Sequence, residues 1–476
     1  MRKAKIVCTI GPASQDAAVL DRLMAAGMDV ARLNFSHGTH DSHARTIKSL
    51  REVAGRRRAA VAILQDLQGP RIRVGALGPE GISLTAGQRV YVSGASASAP
   101  AGRPSAITIP VTYPQLAKDV TAGARILIND GLIELRIDTT AGDLVECTVV
   151  AGGLVTSHKG INLPGTTISA ATLTDKDRED LRFGIVQGVD YVALSFVRNA
   201  QDLLVLKQLI LQCGGDVPVI AKIERPEAVA CLDALLDHAD GVMVARGDLG
   251  VEMGAEAVPV LQKRIIAEAN RRRRLVITAT QMLESMTERP TPTRAEASDV
   301  ANAVFDGTDA VMLSAETASG RYPVEAVTVM DRIVRAAEAG KPAEIVRRSD
   351  AMPGQVPIPE AMCVAATSAA LATGAAAIVA FSESGSTARL LSKLRPAASI
   401  IAFTPYERVR QRMALYWGIL PQIMGRVDQT DARVAEVERR LTEAGLASRG
   451  QRVVILSGTI AGQRGGTNSM KLHEIA

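Results

Sequence analysis

Aromatic side chains are scarce in this sequence, where phenylalanine, tryptophan and tyrosine make up 3% of 476 residues. Proteins that bind single-stranded nucleic acids stack bases on aromatic rings, so the scarcity argues against such a surface. The net charge of +5 is modest for this length and suits an anionic small substrate rather than a nucleic-acid partner. The densest basic run, 271–274, follows a predicted helix, and we interpret it as a solvated helix end.

Cysteines are few, and no long apolar run occurs. The five cysteines are odd in number and show no C-x-x-C spacing, which argues against a disulfide framework and against a cysteine zinc site. No stretch approaches the ~20 apolar residues of a membrane span, and the N-terminal segment MRKAKIVCTIGPAS reads as a strand rather than a signal peptide. We therefore expect a cytoplasmic protein without a membrane partner.

What the sequence does contain is a series of short apolar runs, each followed by an amphipathic helical pattern. Hydrophobic residues make up 47% of the chain and charged residues 22%, which is typical of globular proteins with large cores. The runs occupy residues 5–10, 30–35, 60–64, 191–196, 217–223, 241–244, 275–280 and 310–313. Eight such runs, with helices such as 16–26, 200–211 and 260–270 between them, predict an α/β fold built on a TIM (β/α)8 barrel.

The series is interrupted once, at 69–167, by short β-like stretches with Gly, Asp and Asn at their joints. This texture predicts a small β-barrel domain inserted into a barrel loop, where it can move as a lid. A helix at 323–339 and a linker-like stretch at 339–360 follow the eighth run. A helix at 360–372 and strands at 376–381, 399–403 and 452–456 then predict an open α/β domain. The predicted domains are the barrel at 1–68 and 168–340, the lid at 69–167 and the C-terminal domain at 341–476.

Polar side chains cluster at the ends of the predicted barrel strands. The active site of a TIM barrel lies at the carboxyl ends of its strands, so these side chains are predicted to share one rim. They are Arg32, Asn34, Ser36, Gln65, Asp66, Lys222, Glu224, Arg246, Gly247, Asp248, Thr280, Gln281, Ser314 and Glu316.

Glu224 and Asp248 follow neighbouring predicted strands and offer two hard oxygen ligands. Such ligands suit Mg²⁺ or Mn²⁺, which keep other positions for water and substrate oxygens. Lys222 lies two residues before Glu224 and so points to the same face. The alternative is a structural ion-pair network among the three side chains, and the residues alone leave both interpretations open.

The stretch ARGDLGVE places Gly247 and Gly250 around a turn into a predicted helix. The N–H groups at a helix start attract a carboxylate or phosphate, although a plain helix start is the alternative. Arg32 and Arg73 are further candidates for binding an anion. Two guanidinium groups, a lysine and a divalent ion suffice for phosphoryl transfer. His37, near the rim, is predicted to be a structural hydrogen-bonding residue rather than a general base.

Seven stretches resemble motifs of the pyruvate kinase family and occur in that family's order. They are KIVCTIGPAS, ARLNFSHGTHDSH, KGINLPG, AKIERPEAV, VMVARGDLGVE, ATQMLESM and PTRAEASDVANAVFDGTDAVMLSAETASGRYPVEAV. The resemblance spans essentially the whole chain. It implies transfer of the phosphoryl group of phosphoenolpyruvate to ADP, giving pyruvate and ATP, with a three-domain layout, Mg²⁺ (or Mn²⁺) as cofactor and a homotetramer.

The resemblance also implies roles for the phosphoryl-transfer residues. Lys222 would stabilise the phosphoryl group in flight, and Arg32 and Arg73 would grip it. Glu224 and Asp248 would hold the divalent cation, and a second Mg²⁺ would arrive with the nucleotide.

For the rest of the substrate, the resemblance points to the turn after the sixth strand. The backbone of Ala245, Arg246 and Gly247, beside Asp248, would receive the carboxylate of phosphoenolpyruvate. Thr280 would help to protonate the enolate carbon, through water rather than as the acid itself.

One segment departs from the family pattern. The commoner version reads DTKGPEIRT, whereas this chain reads DLQGPRIRV at 66–74. Leu67 stands where a threonine oxygen helps to hold potassium, and Arg71 stands where a glutamate is usual. The residues that match the family's other potassium ligands are Asn34, Ser36 and Asp66. We hypothesise that the Arg71 guanidinium supplies the fixed positive charge, so that K⁺ is not required; neutral drift is the alternative.

The stretch SESGSTAR opens a helix after the first strand of the predicted C-terminal domain. Its hydroxyls and backbone amides suit a phosphate, and the matching loop in the family binds a sugar-phosphate or nucleotide effector. An ordinary capped turn is the alternative, and Glu383 would repel a phosphate. The candidate effector residues are Ser382, Ser384, Gly385, Ser386 and Thr387.

Two rival functions remain at this point. One is a metal-dependent TIM-barrel lyase or aldolase acting on phosphoenolpyruvate or 2-oxo acids, which would lack the inserted lid and the grip of Lys222 and Arg73. The other is a non-catalytic regulatory barrel, which does not fit the competent residue at every catalytic position of the family.

Overall fold

Eight parallel strands close into a barrel, as the apolar runs predict. The computed structural model describes residues 2–94, 106–340, 356–427, 429–458 and 466–476. The barrel strands are β1 (Lys5–Ile10), β2 (Val30–Asn34), β3 (Ala62–Asp66), β12 (Tyr191–Leu194), β13 (Val219–Ile223), β14 (Gly241–Ala245), β15 (Leu275–Ala279) and β16 (Ala310–Leu313). Neighbours follow the order β1-β16-β15-β14-β13-β12-β3-β2, and every predicted run forms one of these strands.

Helices follow the barrel strands on the outside. They are α1 (Ala17–Ala26), α2 (His40–Arg57), α4 (Asp175–Val186), α5 (Ala200–Gln212), α6 (Pro226–Ala230), α7 (Leu232–His238), α8 (Arg246–Met253), α9 (Val258–Arg271), α10 (Arg294–Asp306), α11 (Ala315–Ala318) and α12 (Pro323–Ala339), with a 3₁₀ turn at Glu284–Thr287. Five of them, α1, α2, α4, α5 and α10, begin with a side-chain cap. Thr293, for example, forms a capping box with Glu296 at the start of α10. Of the described helices, none is both long and apolar enough to cross a membrane.

Alternation along the strands decides which side chains face the barrel interior. On β13, Val219, Ala221 and Ile223 pack with the surrounding helices, whereas Ile220 packs inside the barrel. Because successive strand residues point to opposite faces, the same alternation turns Lys222 and Glu224 inward at the mouth. The barrel interior is therefore apolar along most of its length, and Lys222 and Glu224 bring charge to the carboxyl ends of the strands.

The described residues between β3 and α4 fold as a separate β structure above the mouth. Its elements are β4 (Ile82–Leu84), β5 (Arg89–Ser93), β6 (Thr108–Pro110), α3 (Leu116–Asp119), β7 (Arg125–Ile128), β8 (Ile133–Ala141), β9 (Leu144–Ala151), β10 (Gly153–Val155) and β11 (Ile161–Asn162). Six strands form one sheet in the order β11-β7-β8-β9-β5-β6, and β10 pairs with β4. Isolated bridges from Arg73 to Gly160 and from Val74 to Val111 connect one short segment to residues beside both edge strands. We call residues 69–167 the lid.

The C-terminal part is a five-stranded α/β unit. Its elements are α13 (Ile358–Thr373), β17 (Ala377–Phe381), α14 (Ser386–Lys393), β18 (Ser399–Thr404), α15 (Glu407–Met413), β19 (Ile419–Ile423), α16 (Thr430–Glu443), β20 (Arg452–Gly458) and β21 (Thr467–Glu474). The order is β19-β18-β17-β20-β21, with β21 antiparallel. The apolar runs predict only three of these strands. The two others form the sheet edges, where Pro421 in β19 and the polar face of β21 are tolerated. Residues 341–355 of the predicted linker lie outside the described residues, and the predicted domain boundaries stay predictions.

The basic run 271–274 is not simply a solvated helix end. Arg272 forms ion pairs with Asp233 and Asp237, and Arg274 donates to the carbonyl oxygen of Leu236. Arg273 reaches Glu360 of α13 and so joins the barrel to the C-terminal unit. Local sequence shows the positive charge, but these partners lie 35 or more residues away along the chain and cannot be read from it.

A buried ion-pair cluster also joins the barrel base to the C-terminal unit. Asp309, just before β16, is fully buried and contacts the Lys393 ammonium and the Arg395 guanidinium, the latter at 2.8 Å. It also accepts a 2.8 Å hydrogen bond from the backbone of Val276. Burial lowers the pKa of Lys393 to about 8 against the raising effect of Asp309. The carboxylate of Asp309 thus offsets the free-energy cost of burying two cations in an apolar interface.

We expect Asp309→Asn to lower the free energy of unfolding by about 3–5 kcal/mol, because it leaves buried cations without their carboxylate. The urea midpoint should shift accordingly. It can be followed by the fluorescence of Trp417, the single tryptophan, whose ring lies 4.6 Å from the Arg395 guanidinium carbon.

Asp216→Asn is the matched control, since Asp216 is exposed and pairs with Arg408 and Arg412 at the surface. Its cost should stay within about 1 kcal/mol. Equal midpoints for the two variants would contradict a structural role for the buried cluster.

Candidate active site

Lys222 lies at the centre of a buried charge network at the barrel mouth. Its ammonium nitrogen is 2.8 Å from Glu224 Oε1 and 3.4 Å from Asp66 Oδ1. Asp66 accepts a 2.7 Å hydrogen bond from Arg32 Nε, and Arg32 Nη1 donates to Thr9 Oγ1 at 2.9 Å. The structure therefore brings Arg32, Lys222 and Glu224 together, as predicted, and Asp66 links the two cations.

The Lys222 ammonium and the Asp66 carboxylate both remain charged in this network. Burial alone would lower the pKa of Lys222, but the carboxylates of Asp66 and Glu224 raise it above its ordinary value. Burial alone would raise the pKa of Asp66, but Lys222 and Arg32 hold it below its usual range. A full positive charge therefore stays fixed where little water can screen it, which is the arrangement that stabilises developing negative charge.

Ser195 belongs to this network, although the strand-end pattern does not single it out. Its hydroxyl accepts a 2.8 Å hydrogen bond from Lys222 Nζ and donates a 2.7 Å bond to the carbonyl oxygen of Leu67. It continues the inward-facing series of Tyr191 and Ala193 on β12 by one step of two residues. That alternation is the signal that could have found it.

Glu224 and Asp248 present carboxylate oxygens that fit a divalent cation. Glu224 Oε2 accepts a 2.6 Å hydrogen bond from the Phe196 N–H, while Oε1 is buried and lies 2.8 Å from the Lys222 ammonium nitrogen. Burial and the charge of Glu224 raise the pKa of Asp248 to about 6. A cation bound to both carboxylates would relieve this repulsion.

Among the described residues, no third carboxylate, histidine or cysteine joins this pair. Within the described ranges, no group of three His, Cys, Asp or Glu side chains is arranged to hold a metal ion. A cation bound by Glu224 and Asp248 would thus keep most of its coordination positions for water or substrate oxygens, as Mg²⁺ commonly does in phosphoryl-transfer enzymes.

The turn after β14 lies against Thr280. Helix α8 begins directly at the strand end, and the Gly247 N–H donates a 2.8 Å hydrogen bond to Thr280 Oγ1. The Thr280 hydroxyl donates in turn to the carbonyl oxygen of Ala279 at 2.6 Å. A Cβ built on Gly247 would meet Thr280 Oγ1 at 3.6 Å, so the turn packs against Thr280 in ordinary van der Waals contact.

A cavity of about 470 Å³ separates the lid from the barrel mouth. Arg71, Arg73 and Lys159 line it from the lid side, and Asp248 lies on the barrel side. Arg73 Nη1 donates to the carbonyl oxygen of His158 at 2.8 Å, which leaves its other nitrogens toward the cavity. The cavity is thus positively charged along one wall, which suits a polyanionic ligand.

His37 lies on the cavity wall rather than in a structural hydrogen-bonding position. Its ring is exposed, and the hydrogen bond near it is made by its backbone oxygen, which pairs with the His43 ring nitrogen at 2.9 Å. Burial, together with Arg71, Arg73 and Arg32, lowers the pKa of His37.

The residues that match the family's potassium ligands are committed to other contacts. Asn34 Oδ1 accepts from the Ser36 N–H at 3.1 Å, and the Asp66 carboxylate faces Arg32 and Lys222. Leu67 is 1% exposed in the hydrophobic core and offers no side-chain oxygen. Arg71 is exposed at the cavity, and within the described part of the chain its guanidinium forms no hydrogen bond or ion pair.

Two arginines fasten the lid's C-terminal connection to the barrel, and the strand-end pattern identifies neither. Arg198 Nη1 donates to the carbonyl oxygen of Ile168 at 2.7 Å, and Arg225 Nη2 donates to that of Thr166 at 2.9 Å. Across the cavity, Asn162 donates to Glu252 Oε1 at 3.2 Å. These contacts set how far the lid stands from the mouth.

Three predicted rim residues make contacts within the scaffold, and a fourth is exposed. Gln65 is buried and donates to the Asp180 carbonyl oxygen, and the Ser314 N–H donates to Glu316 Oε2. Glu316 is fully buried and also accepts from the Leu283 N–H. The Gln281 side chain is exposed. Strand-end position alone therefore does not distinguish a ligand-binding side chain from one that ties a loop.

The predicted effector loop opens α14. Ser384 Oγ donates to Ser386 Oγ at 3.1 Å, and the Thr387 hydroxyl bonds that of Thr467 at 2.7 Å. Ser382 is buried, and Gly385 adopts the left-handed conformation at the cap position. Glu383 pairs with Arg426 at 3.0 Å, so its charge is partly neutralised. The loop's function stays a prediction.

Comparison with known proteins points consistently to one family. Residues 1–327 match the family model "Pyruvate kinase, barrel domain", and residues 360–473 match "Pyruvate kinase, alpha/beta domain". The chain is 47% identical to a pyruvate kinase of Geobacillus stearothermophilus, covering 100% of this chain and 81% of that protein. It is 46% identical to pyruvate kinase 2 of Synechocystis, covering 100% and 79%. A crystal structure of a pyruvate kinase from Cryptosporidium parvum aligns with a TM-score of 0.92 at 36% identity, covering 100% and 96%.

We expect Glu224→Gln to weaken Mn²⁺ binding to this protein by at least about tenfold, because an amide supplies no negative charge to a hard cation. Electron paramagnetic resonance of free Mn²⁺ during a titration measures this directly.

Glu227→Gln is the matched control, since Glu227 lies three residues further along and pairs with Arg225 at 3.4 Å. Its Mn²⁺ affinity should be that of the unmodified protein. An unchanged affinity in Glu224→Gln would remove Glu224 from the cation site.

Proposed function

The chain belongs to the pyruvate kinase family, and we propose that the residues at its barrel mouth carry the family's reaction, phosphoryl transfer from phosphoenolpyruvate to ADP. The observation that carries this assignment is the fixed ammonium of Lys222, held by Asp66, Glu224 and Ser195. Phosphoryl transfer depends mainly on positioning and on neutralising the charge of the transferred group. A rigid, protonated lysine at the mouth supplies both.

Lys222 and two arginines form the proposed phosphoryl grip. Arg32 is oriented by Asp66 and Thr9, so its remaining guanidinium nitrogen is available at the mouth. Arg73 approaches from the lid, where the hydrogen bond from its Nη1 to the His158 carbonyl oxygen fixes one side of the guanidinium group. Charges arriving from two domains would meet across the phosphoryl group, and a lid movement would change their separation.

The family generally uses a divalent metal, and we propose Mg²⁺, or Mn²⁺ in its place, held by Glu224 and Asp248. When bound, the cation would neutralise negative charge on substrate oxygens. The Phe196 N–H positions Glu224 Oε2 and the Lys222 ammonium holds Oε1, so the orientation of this carboxylate is fixed before a cation binds.

We propose that the turn Ala245–Arg246–Gly247 receives the substrate carboxylate. The Gly247 N–H in the first turn of α8 supports this, since an N–H at a helix start favours a carboxylate. The carboxylate would take the Gly247 N–H from Thr280, whose hydroxyl is then placed to order water for protonating the enolate carbon.

The rival functions have less support. A lyase or aldolase would not need a positively charged lid, yet Arg71, Arg73 and Lys159 line the cavity on that side. A non-catalytic barrel would not need a buried ammonium held by three partners. The effector loop at 382–387, a homotetramer and a cytoplasmic location remain proposals, supported by family resemblance and, for the loop, by the hydroxyls at the start of α14.

Lys222→Met should lower kcat for pyruvate formation by at least about a hundredfold, because it removes the charge that stabilises the transferred group. A lactate dehydrogenase-coupled assay measures this, and a thermal melt checks that the variant is folded.

Lys207→Met is the control, since Lys207 pairs with Asp240 at 3.0 Å on the barrel exterior. It should retain the kcat of the unmodified enzyme. A folded Lys222→Met enzyme with near-normal kcat would refute the phosphoryl role of this lysine.

We further propose that the enzyme does not require K⁺. Leu67 offers no side-chain oxygen to a cation, and Arg71 places a positive charge at the cavity without an ion-pair partner among the described residues. That charge also acts on Asp248, whose pKa it lowers against the stronger effect of burial. A permanent guanidinium can supply the electrostatic part of what a bound monovalent cation supplies.

Activity in buffer free of Na⁺ and K⁺ should therefore rise less than about twofold on adding KCl. The double variant Leu67→Thr/Arg71→Glu restores the common family residues and should be activated by KCl about tenfold or more, because a monovalent site regains an oxygen ligand and loses a competing charge.

Arg45→Glu makes the same charge change on the exposed face of α2 and should leave the response to KCl unaltered. Strong activation of the unmodified enzyme by KCl would contradict the proposal that K⁺ is not required.

A further inference from the structure

The turn after β15 holds two residues in a costly backbone conformation. Thr280 has φ of 70° and Gln281 has φ of 52°, both in the left-handed region. This region is sterically unfavourable for any residue with a Cβ and most unfavourable for a β-branched one such as threonine. Such a conformation persists only where the surroundings hold it, and it occurs preferentially at functional sites.

The Arg246 side chain holds this turn from the inside. Its Nη2 donates a 2.6 Å hydrogen bond to the carbonyl oxygen of Thr280, and its Nε lies 3.2 Å from that of Ala279 and 3.3 Å from that of Thr280. The side chain is 10% exposed, so these bonds are largely shielded from water. The left-handed turn is what directs successive carbonyl oxygens toward one guanidinium group.

Asp299 on α10 fixes the remaining nitrogen of the guanidinium. Arg246 Nη1 lies 2.7 Å from both Asp299 carboxylate oxygens, and Gln262 Oε1 is a weaker acceptor at 3.4 Å. All three guanidinium nitrogens are therefore used in one plane. A lysine has a single nitrogen and cannot bond the turn and Asp299 together in this way.

Arg246 thereby fixes both sides of the Gly247–Thr280 contact. Its backbone immediately precedes Gly247, whose N–H donates to Thr280 Oγ1, and its side chain holds the backbone of Thr280 itself. If Arg246 and Asp299 served stability alone, their hydrogen bonds could lie anywhere on the barrel. Here they converge on the turn that carries the hydroxyl opposite the proposed carboxylate site.

We propose that Arg246 and Asp299 are positioning residues for the proton-transfer half of the reaction, holding the strained Thr280–Gln281 turn so that the Thr280 hydroxyl faces the substrate. This inference rests on the proposed role of Thr280. The step concerned breaks a C–H bond of the pyruvate methyl group, gives the proton to water ordered at Thr280 and leaves the enolate; the reverse step returns a proton from solvent.

The test is the exchange of pyruvate methyl hydrogens with D₂O, followed by NMR in the presence of the enzyme, Mg²⁺ and ATP, together with kcat for pyruvate formation. Arg246→Lys should slow the exchange by about 10- to 100-fold, the range expected when a reacting group is misplaced by about 1 Å. Asp299→Asn should slow it less, because Arg246 keeps its bonds to the turn. Thr280→Ala should slow it at least as much as Arg246→Lys.

The double variant Arg246→Lys/Thr280→Ala separates positioning from general damage. If Arg246 acts through Thr280, adding Arg246→Lys to Thr280→Ala slows the exchange little further, whereas independent effects would multiply. Arg272→Lys and Asp233→Asn are matched controls from an ion pair on the barrel exterior, 2.7 Å apart, and both should exchange at the normal rate. Thermal melts of every variant report the structural cost.

The outcomes distinguish two failures. Slow exchange in Thr280→Ala with normal exchange in folded Arg246→Lys would overturn the positioning role while leaving the proposed function intact. Normal exchange in Thr280→Ala would instead remove Thr280 from the proton transfer, and the inference would fall with it. Multiplicative effects in the double variant would also overturn the positioning role, because they would show that Arg246 acts elsewhere.

Discussion

The buried ammonium of Lys222 is the constraint on which the rest of the site depends. A positive charge inside a barrel is unfavourable unless carboxylates and hydrogen-bond acceptors surround it. Asp66, Glu224 and Ser195 meet that need from three different strand ends. Each of these partners then has a further contact: Asp66 orients Arg32, Glu224 takes the Phe196 N–H, and Ser195 holds the Leu67 carbonyl oxygen. Compensating one charge thus positions much of the catalytic rim.

The strands and the charged rim could be predicted from the sequence because both follow from local rules. Apolar runs with amphipathic segments between them give the barrel, and alternation along β13 turns Lys222 and Glu224 to one face. The same rule would have found Ser195 had it been applied to β12. Edge strands are different: β19 contains a proline and β21 is polar, because an edge needs neither a complete ladder nor two buried faces. Their existence depends on neighbours that the local pattern does not contain.

Side-chain direction was the part that could not be predicted. The motif ARGDLGVE shows a helix start, yet nothing in it says that the Arg246 guanidinium turns back to Thr280 and Asp299, residues 34 and 53 positions away. The same holds for Arg273, which pairs with Glu360, and for Asp309, which forms ion pairs with two cationic side chains of the C-terminal unit. A charge is visible in the sequence, but its partner is set by the fold. Glu316, at a strand end like Glu224, ties a loop instead of facing the mouth.

Strand β16 is flanked by a buried carboxylate at each end, and the two carboxylates have different structural roles. Asp309 at its amino end joins the barrel to the C-terminal unit, and Glu316, just past its carboxyl end, holds Leu283 in the loop that begins with Thr280. Glu316 is buried, and both of its carboxylate oxygens accept from backbone N–H groups, Oε1 from Leu283 and Oε2 from Ser314. The turn that carries Thr280 is therefore fixed from two directions, by Arg246 on one side and by Glu316 on the other. Because left-handed backbone at Thr280 and Gln281 relaxes unless it is held, this double anchoring is what allows a loop residue to have the precision of a strand residue.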